Sequence, residues 1–263
     1  MNGGTSSLRV AAITGAAQGI GQCTALLLGQ RGYALALNDL RPCGETLAEL
    51  RRRGAEAIEC VGSVCDEAVV ARFAAAVRER WGGADVLVNN AGVSLIAPAE
   101  EVSAADFRRV LEVNLVAPFL TAKAFGALML ERNSGSIVNV ASIAGLVGIA
   151  DRSAYNASKH GLVGLTRTLA SEWGGRGVRC NAVCPGWVKT EMDDVAQASG
   201  IYTDADITGR VPLARFATPE DIARAIAFLA DPAEGGFVNG HALVVDGGWT
   251  ADGSWQSLRL AHR

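Results

Sequence analysis

Residues 8–21 have the sequence LRVAAITGAAQGIG, a short apolar run that ends in a glycine-rich turn. The run Leu8–Thr14 is apolar without alternation, which is typical of a strand buried on both faces of a sheet. A helical pattern follows from Ile20 to Arg31. Glycines between a strand and a helix let the backbone approach a pyrophosphate, whose charge a helix N-terminus stabilises. The stretch therefore predicts the first strand–turn–helix unit of a dinucleotide-binding α/β domain.

The same alternation of strands and helices continues along the chain. Further strands are predicted at Tyr33–Asn38, Glu56–Val61, Asp85–Asn89, Ser136–Ala141, Val178–Cys184 and Ala242–Val245. Further helices are predicted at Gly44–Arg53, Glu67–Trp81, from Asp106 through Leu115 and beyond, at Tyr155–Trp173 and from Thr218 onward. This order predicts an α/β fold, a Rossmann-like doubly wound seven-stranded parallel sheet with helices on both faces. We expect one domain, 1–263, with a substrate lid at 191–210 and a C-terminal tail at 249–263.

Composition narrows the class of protein further. Of the 263 residues 49% are hydrophobic and 19% charged, which excludes a disordered chain. The net charge is −3 and the longest basic run is Arg51–Arg53 at a helix end, so a nucleic-acid partner is not expected. No apolar stretch long enough to span a membrane and no secretory leader is evident, so we expect a cytoplasmic protein with no membrane partner. Six cysteines without a CxxC pair and three scattered histidines predict free thiols and no metal site.

Asp39 ends the second predicted strand, beside the glycine-rich turn. A carboxylate at this place accepts hydrogen bonds from the ribose hydroxyls of an adenosine and repels a 2′-phosphate. This favours NAD over NADP as the cofactor. Arg41 lies two residues on and is able to pair with a phosphate, so the alternative stays open at this stage.

The residues Tyr155-Asn156-Ala157-Ser158-Lys159 place a phenol and an ammonium four residues apart on one helix face. A neighbouring ammonium favours the phenolate and lowers the tyrosine pKa, which makes the phenol a usable base. Ser142 follows an apolar strand, so its hydroxyl is expected at the same crevice. The three residues predict an acid/base site.

Several motifs occur together in a fixed order and spacing. They are Thr14–Gly21, Asn89-Asn90-Ala91-Gly92, Asn114, Ser142, Tyr155 with Lys159, Pro185-Gly186 with Thr190, and Val245-Asp246-Gly247-Gly248. With these motifs the sequence resembles the short-chain dehydrogenase/reductase family from about Leu8 to Trp249, in its short, single-domain branch.

The resemblance implies a catalytic role for four residues. Tyr155 would take the proton of a substrate hydroxyl as hydride leaves the carbon. Lys159 would lower the pKa of Tyr155 and hydrogen-bond the nicotinamide ribose, and Ser142 would hold the substrate oxygen. Asn114 would anchor a water that links Lys159 to solvent, although an asparagine here is also able simply to cap or kink its helix.

The resemblance also implies a set of NAD-binding residues. Besides Tyr155 and Lys159, they are Gly15, Gln18, Gly19, Ile20, Gly21, Asp39, Leu40, Ser63, Val64, Asn90, Ala91, Gly92, Pro185, Gly186, Val188 and Thr190. Ser63 departs from the family, in which many members carry Asp or Asn to contact the adenine amino group. Asn89 is interpreted as structural, and Asp246 as holding the C-terminal turn.

Substrate-facing residues are expected on the loops that follow the strands. The candidates are Ser94, Leu95, Ser142, Ile143, Ala144, Arg152, Trp187 and the lid from Glu191 to Arg210. Arg152 would hold a carboxylate, a sulfonate or sugar hydroxyls. Equally, it would be solvated or paired with Asp151 or Asp193.

Because these candidate residues include both polar and apolar side chains, they favour a sugar, polyol or similar small oxygenated substrate. The alternatives are a simple ketone, a 3-oxoacyl thioester, or a non-catalytic dinucleotide-binding scaffold.

The resemblance further implies a homotetramer in which the helices after Asp106 and Tyr155 pair between subunits. The second of these helices carries many apolar residues, namely Leu162, Val163, Leu165, Leu169 and Trp173. The tail contributes Trp249, Trp255, Leu258 and Leu260, which we expect to dock on the body or on a neighbouring subunit.

Overall fold

A computed structural model describes residues 8–189 and 203–254, which contain a seven-stranded sheet. The strands are β1 Arg9–Thr14, β2 Tyr33–Asp39, β3 Ala57–Val61, β4 Val86–Asn89, β5 Gly135–Val140, β6 Val178–Pro185 and β7 Ala242–Val245. Their order is β3-β2-β1-β4-β5-β6-β7, and every neighbouring pair is parallel. The predicted doubly wound α/β fold is confirmed.

Helices cover both faces of this sheet. They are α1 Gly19–Gln30, α2 Gly44–Arg52, α3 Glu67–Trp81, α4 Ala104–Leu111, α5 Ala117–Glu131, α6 Ser153–Trp173, α7 Asp204–Arg210, α8 Pro219–Ala230 and α9 Pro232–Gly235. Ala11 and Ile13 of β1 pack with α1, α2 and α8 on one face. Val10 and Ala12 pack with α3, α5 and α6 on the other. Successive residues of a strand point to opposite faces, so burial on both faces explains the unbroken apolar runs.

The connections leave β1 in two directions. Its neighbours are β2 on one side and β4 on the other, so the chain order reverses at this strand. In such sheets a crevice opens at the carboxyl ends of the strands, at the reversal point. The glycine-rich turn after β1 lies at that crevice.

The helix predicted from Asp106 onward is interrupted. A π-helical turn, Glu112–Val116, separates α4 from α5. Pro118 lies at the start of α5 and has no backbone N–H to donate to the preceding turn. The wide turn accommodates that missing hydrogen bond, and it contains the fully buried Asn114. The helical periodicity of the sequence gave no sign of this interruption.

The stretch Ala104–Glu131 has the length and apolar composition of a membrane span, with a mean hydropathy of 1.6 over its most apolar window. Half of that window is buried inside the protein. The stretch packs against α3, α6 and the sheet. We therefore interpret it as a core segment of the domain.

Helix α6 uses most of its apolar residues inside the subunit. Leu162, Val163 and Leu169 are buried in the two cores that flank it, and Trp173 contacts the backbone of Gly126 in α5. Leu162, Val163 and Leu169 therefore pack inside the subunit, whereas Leu165 and Trp173 keep part of their surface exposed. The long helix lies between β6 and the α4–α5 segment, so more than one of its faces is covered.

The predicted lid and tail lie only partly within the described residues. The last part of the predicted lid forms α7, and a capping box of Thr203 and Asp206 begins this helix. Residues 190–202 and 255–263 lie outside the described part, and with them Thr190, Asp193, Trp255, Leu258 and Leu260.

Candidate active site

The glycine-rich turn after β1 has a backbone that only glycine accommodates well. Gly15 and Gly19 have φ values of +65° and +58°. A Cβ atom on Gly21 would lie 2.0 Å from the carbonyl oxygen of Gly15, so the start of α1 packs directly on the turn. Gln18 precedes α1 without capping it through its side chain, and the first turn holds no acidic residue. The N–H groups of the first turn are thus available to a phosphate.

Asn90 and Thr14 join the end of β4 to this turn. The Asn90 side chain donates to the carbonyl oxygens of Thr14 and Gly15 at 3.1 and 2.9 Å. The Thr14 hydroxyl accepts from the backbone N–H groups of Asn90 and Ala91. The Asn90 amide is thus used to hold the glycine turn in shape, in addition to its expected place beside a ribose.

Asp39 lies at the carboxyl end of β2, beside the same turn. Its carboxylate accepts from the backbone N–H groups of Ala17 at 3.0 Å and Arg41 at 3.1 Å. The Arg41 guanidinium donates to the side-chain oxygen of Gln18 across the mouth of the crevice. Asp39 is held rigidly where an adenosine ribose is expected, and a basic group lies close by.

The remaining predicted contacts on this side lie around β3. The Ser63 hydroxyl accepts from the backbone N–H of Cys65 at 3.2 Å and so stabilises its own turn. Val64 is mostly buried, and packs in a small cluster with Val70 and Ala117. Leu40 is 71% exposed, which leaves its side chain open to solvent.

On the other side of the crevice, Gly186 packs against the turn that follows β7. A Cβ atom there would lie 2.8 Å from the Cα of Asp246. The Asp246 carboxylate accepts from the N–H groups of Gly248 and Thr250, which confirms that it holds the C-terminal turn. Val188 pairs with Ala217 in an isolated bridge, and Pro185 ends β6.

Tyr155 and Lys159 lie one turn apart at the start of α6, as predicted. The Lys159 ammonium is 5.6 Å from the centre of the Tyr155 ring. It donates to the carbonyl oxygen of Val140 at 2.8 Å, and the side chain is buried. The last carbonyl of β5 thus fixes the ammonium behind the phenol.

Ser142 follows β5 and begins a short 3₁₀ turn, Ile143–Gly145. Its hydroxyl accepts from the Ala144 N–H at 3.1 Å. A Cβ atom on Gly145 would lie 2.7 Å from the Lys159 carbonyl oxygen, so glycine is what allows this turn to pack on α6. The close packing brings Ser142 beside the phenol of Tyr155.

Asn114 connects three elements of the site. Its side-chain oxygen accepts from the Val93 N–H, and its amide donates to the Val93 carbonyl, both at 2.9 Å. The amide also donates to the Ser158 hydroxyl at 3.1 Å, and Ser158 donates to the Tyr155 carbonyl at 2.7 Å. Asn114 therefore fastens the loop after β4 to α6 from within the π-helical turn.

Burial has opposite effects on the pKa values of the two titratable groups. Burial raises the pKa of Tyr155, while Ser142 and the charge of Arg152 act to lower it. Burial lowers the pKa of Lys159 to about 8. Among the groups that lower the pKa of Tyr155, the Ser142 hydroxyl has the larger effect and the charge of Arg152 the smaller.

The predicted substrate residues are distributed unevenly around the crevice. Ser94, Leu95 and Trp187 are half-buried on the loops after β4 and β6. Ile143 and Ala144 are 2% and 0% exposed, which leaves their side chains almost no surface for a substrate.

Arg152 is half-buried, and its guanidinium carbon lies 5.3 Å from the centre of the Trp187 ring. Among the described residues it forms no ion pair with Asp151, which was one of the alternatives.

Val93, Ser158 and Cys184 belong to the site but were given no role from the sequence. Ser158 lies within the Tyr155–Lys159 motif, and this is the signal that was available. Cys184 is fully buried in β6 near Lys159. Val93 acts through its backbone, which no side-chain pattern reveals. Asn89 donates to Asn139 and Pro118 inside the core, which confirms its structural role.

The described residues suit a nicotinamide dinucleotide. The uncapped start of α1 and the space that a side chain on Gly21 would fill form a phosphate cradle, and Asp39 is positioned for a ribose. The described parts of the chain contain no group of three or more His, Cys, Asp or Glu residues that could hold a metal ion.

Comparison with known proteins gives concordant matches. Residues 15–250 match a family model described as enoyl-(acyl carrier protein) reductase. The chain is 44% identical over 246 residues to D-threitol dehydrogenase of Mycolicibacterium smegmatis, covering 92% of this chain and 93% of that protein. It is 42% identical over 247 residues to cis-4-hydroxycyclohexanecarboxylate dehydrogenase of Sinomonas cyclohexanicum, covering 92% and 97%. A variant of actinorhodin polyketide ketoreductase with NADPH superposes with a TM-score of 0.89 at 37% identity, covering 93% and 98%.

Proposed function

Because the chain belongs to the short-chain dehydrogenase/reductase family of oxidoreductases, we propose that it interconverts a secondary hydroxyl and a carbonyl by hydride transfer with NAD(H). The observation that carries the proposal is the packing of Tyr155, Lys159, Ser142 and Asn114 around one end of the crevice. A dinucleotide-binding scaffold without activity would not need a buried ammonium behind a tyrosine, because burying that charge is costly.

The start of α1 and Asp39 would hold the cofactor, which would supply a hydride acceptor in oxidation and a hydride donor in reduction. In the oxidation direction the Tyr155 phenolate takes the hydroxyl proton, and the carbon–oxygen bond becomes a carbonyl as the carbon's hydrogen leaves with its electron pair. Ser142 donates to the substrate oxygen and keeps it beside Tyr155. Lys159 favours the phenolate by its positive charge, and Asn114 anchors a water through which a proton passes between Lys159 and solvent. In reduction Tyr155 gives the proton back.

The preference for NAD over NADP rests on Asp39. A fixed carboxylate accepts ribose hydroxyls and repels a 2′-phosphate. Two backbone N–H groups hold this carboxylate, so it does not readily turn away. The polyketide ketoreductase relative carries NADPH. Arg41 is the residue of this chain through which NADP would be accepted.

We propose a sugar, polyol or similar small oxygenated molecule as the substrate. The threitol dehydrogenase and hydroxycyclohexanecarboxylate dehydrogenase relatives are named for small hydroxylated compounds. The half-buried loop residues of this chain combine Ser94 with Leu95 and Trp187, which suits a compact molecule that has both polar and apolar parts. A 3-oxoacyl thioester or a simple ketone is the alternative within the same chemistry.

The function is tested by measuring NAD and NADP reduction with polyols, sugars, hydroxy acids and secondary alcohols, and NADH oxidation with 3-oxoacyl thioesters. We expect turnover of a small hydroxylated compound with a higher kcat/KM for NAD. Tyr155→Phe should lower kcat by a factor of about 10²–10⁴, the usual range for a lost acid/base group, and leave NADH binding unchanged. Normal turnover by Tyr155→Phe would refute the mechanism, and equal kcat/KM with both cofactors would refute the role of Asp39.

A further inference from the structure

Arg152 is a half-buried cation beside the catalytic tyrosine that no described carboxylate neutralises. We propose that it binds an anionic group of the substrate, and that the substrate is a hydroxy acid whose carboxylate pairs with Arg152 while its hydroxyl meets Tyr155. The inference rests on the function proposed above and narrows its substrate class.

The backbone before α6 fixes the place of Arg152. Asp151 has a left-handed conformation with φ of +58°, which is uncommon for a residue other than glycine. Its carbonyl accepts from the Ala97 N–H at 2.9 Å, and Ala97 pairs with Arg152 in an isolated parallel bridge. A sharp turn clamped by a neighbouring loop directs the chain into α6 so that Arg152 lies at its start, three residues before Tyr155.

The side chain of Arg152 reaches a residue of another element. Trp187 lies just after the end of β6, beside Gly186. The guanidinium lies over the Trp187 ring, at 5.3 Å from the ring centre to the guanidinium carbon. An aromatic ring attracts a cation but does not neutralise it, so the guanidinium remains suited to bind a carboxylate with two hydrogen bonds.

Arg152 forms no ion pair with another residue of the described part of the chain. The ion pairs among residues 8–189 and 203–254 do not include it, whereas Arg78 pairs with Glu131 and Arg132 with Asp85. The adjacent Asp151 has an exposed side chain and does not form an ion pair with it. Burying a cation is unfavourable unless an anion accompanies it. A substrate carboxylate would supply that anion at the place where the reacting hydroxyl is held.

The position relative to Tyr155 fits a small bifunctional substrate. Arg152 directly precedes α6, which holds Tyr155 in its first turn, and its charge acts to lower the pKa of that phenol. A neutral polyol would leave the guanidinium without its counter-charge. The same site is therefore expected to prefer a sugar acid to the corresponding sugar alcohol.

Two matched pairs of compounds test this inference. Gluconate and sorbitol differ by a carboxylate in place of a hydroxymethyl group, and 4-hydroxycyclohexanecarboxylate differs from its carboxamide by a charged oxygen in place of an NH2 group. We expect kcat/KM for the preferred acid to exceed that for its neutral partner at least tenfold. Arg152→Gln should lower kcat/KM for the acid by about 10- to 100-fold, mainly through KM, and change the neutral partner by less than about threefold. Arg152→Lys should restore part of the loss.

Arg78→Gln is the matched control. It removes the same charge from an exposed position at the C-terminal end of α3, the helix that leads into the amino end of β4. Arg78→Gln should change kcat/KM for each compound by no more than about twofold, because a distant, screened charge has little effect on the site. A loss equal to that of Arg152→Gln would mean that net charge alone acts, and would overturn the inference.

Calorimetric titration in the presence of NADH separates this inference from the proposed function. Tighter binding of 4-hydroxycyclohexanecarboxylate than of its carboxamide, lost in Arg152→Gln, supports the anion site even if neither compound is oxidised. Equal binding of the two compounds to the wild-type protein overturns the anion site. In that case turnover of the neutral compounds would leave the dehydrogenase function standing.

Discussion

Lys159 is a buried charge beside Tyr155, and its burial has a cost in stability. Four-residue spacing placed it beside Tyr155, and the structure confirms that place. Burial, however, lowers the pKa of Lys159 to about 8, against an ordinary value of 10.5. Holding the ammonium in the core is therefore unfavourable at neutral pH, by about 3 kcal/mol at 1.36 kcal/mol per pKa unit. The hydrogen bond to Val140 offsets only part of the lost hydration.

We predict that Lys159→Met is inactive yet stabilises the protein without cofactor by about 1–3 kcal/mol at pH 7, because it removes the buried charge. Below about pH 8 the folded wild type keeps the proton and its full penalty. Between pH 8 and 10.5 the folded wild type has lost the proton while the unfolded chain still holds it, so wild-type stability rises with pH.

The measurement is denaturant unfolding of both proteins at several pH values. The stability difference between variant and wild type should shrink as the pH rises from 8 to 10.5. A difference that stays constant over this range would show that the charge of Lys159 is not the cause.

Among the secondary-structure elements, local sequence signals predicted most of the helices. The exception is the long helix after Asp106, whose interruption depends on tertiary contacts. Thr218 caps α8 in a capping box with Asp221, as the Thr-Pro-Glu sequence indicated. The long helix after Asp106 instead opens into a π-helical turn at Glu112–Val116. Turns of this kind are rare in proteins overall, but many of those that occur lie at functional sites. Here the turn places Asn114 where it bonds both backbone groups of Val93.

We predict that Asn114→Leu destabilises the protein by about 2–5 kcal/mol, because it leaves the buried N–H and C=O groups of Val93 without partners. It should also lower kcat, because the loop after β4 is no longer fastened beside Lys159. Denaturant unfolding and steady-state kinetics measure the two effects. The control is Thr218→Ala, which removes a distant cap, should cost about 1 kcal/mol and should leave kcat unchanged. Wild-type stability in Asn114→Leu would show that these bonds do not hold the turn.

For the molecule as a whole, the two cores account for apolar residues that the sequence had suggested for a subunit interface. Leu162, Val163 and Leu169 are buried within the subunit and supply no interface. Other apolar side chains remain on the surface of the described residues, among them Phe119 of α5 at 44% exposure and Phe237, which is fully exposed. Large exposed apolar side chains favour association. The case for an oligomer in this structure therefore rests on these residues.

We predict that the protein is a homotetramer in solution and that Phe119→Asp shifts it to a smaller species, because a carboxylate on α5 would be buried unpaired in the interface. Size-exclusion chromatography with light scattering measures the mass. Leu8→Asp, at a similarly exposed residue beside β1, should not change it. A monomeric wild type would contradict the prediction, and an unchanged mass for Phe119→Asp would exclude α5 from the interface.

Sequence alone was enough to predict the α/β class, the order of strands and helices, the glycine turn, and the proximity of Tyr155, Lys159 and Ser142. These features depend on periodicity and spacing over a few residues, which local sterics and burial control. The tertiary structure was needed to show that Asn114 lies in a π-helical turn, that Asn90 holds the glycine turn, that burial is the largest influence on the pKa of the Tyr155 phenol, and that Arg152 lies over Trp187 with no ion pair among the described residues. Each of these depends on which groups from distant parts of the chain share a low-dielectric space, and spacing along the chain does not specify that.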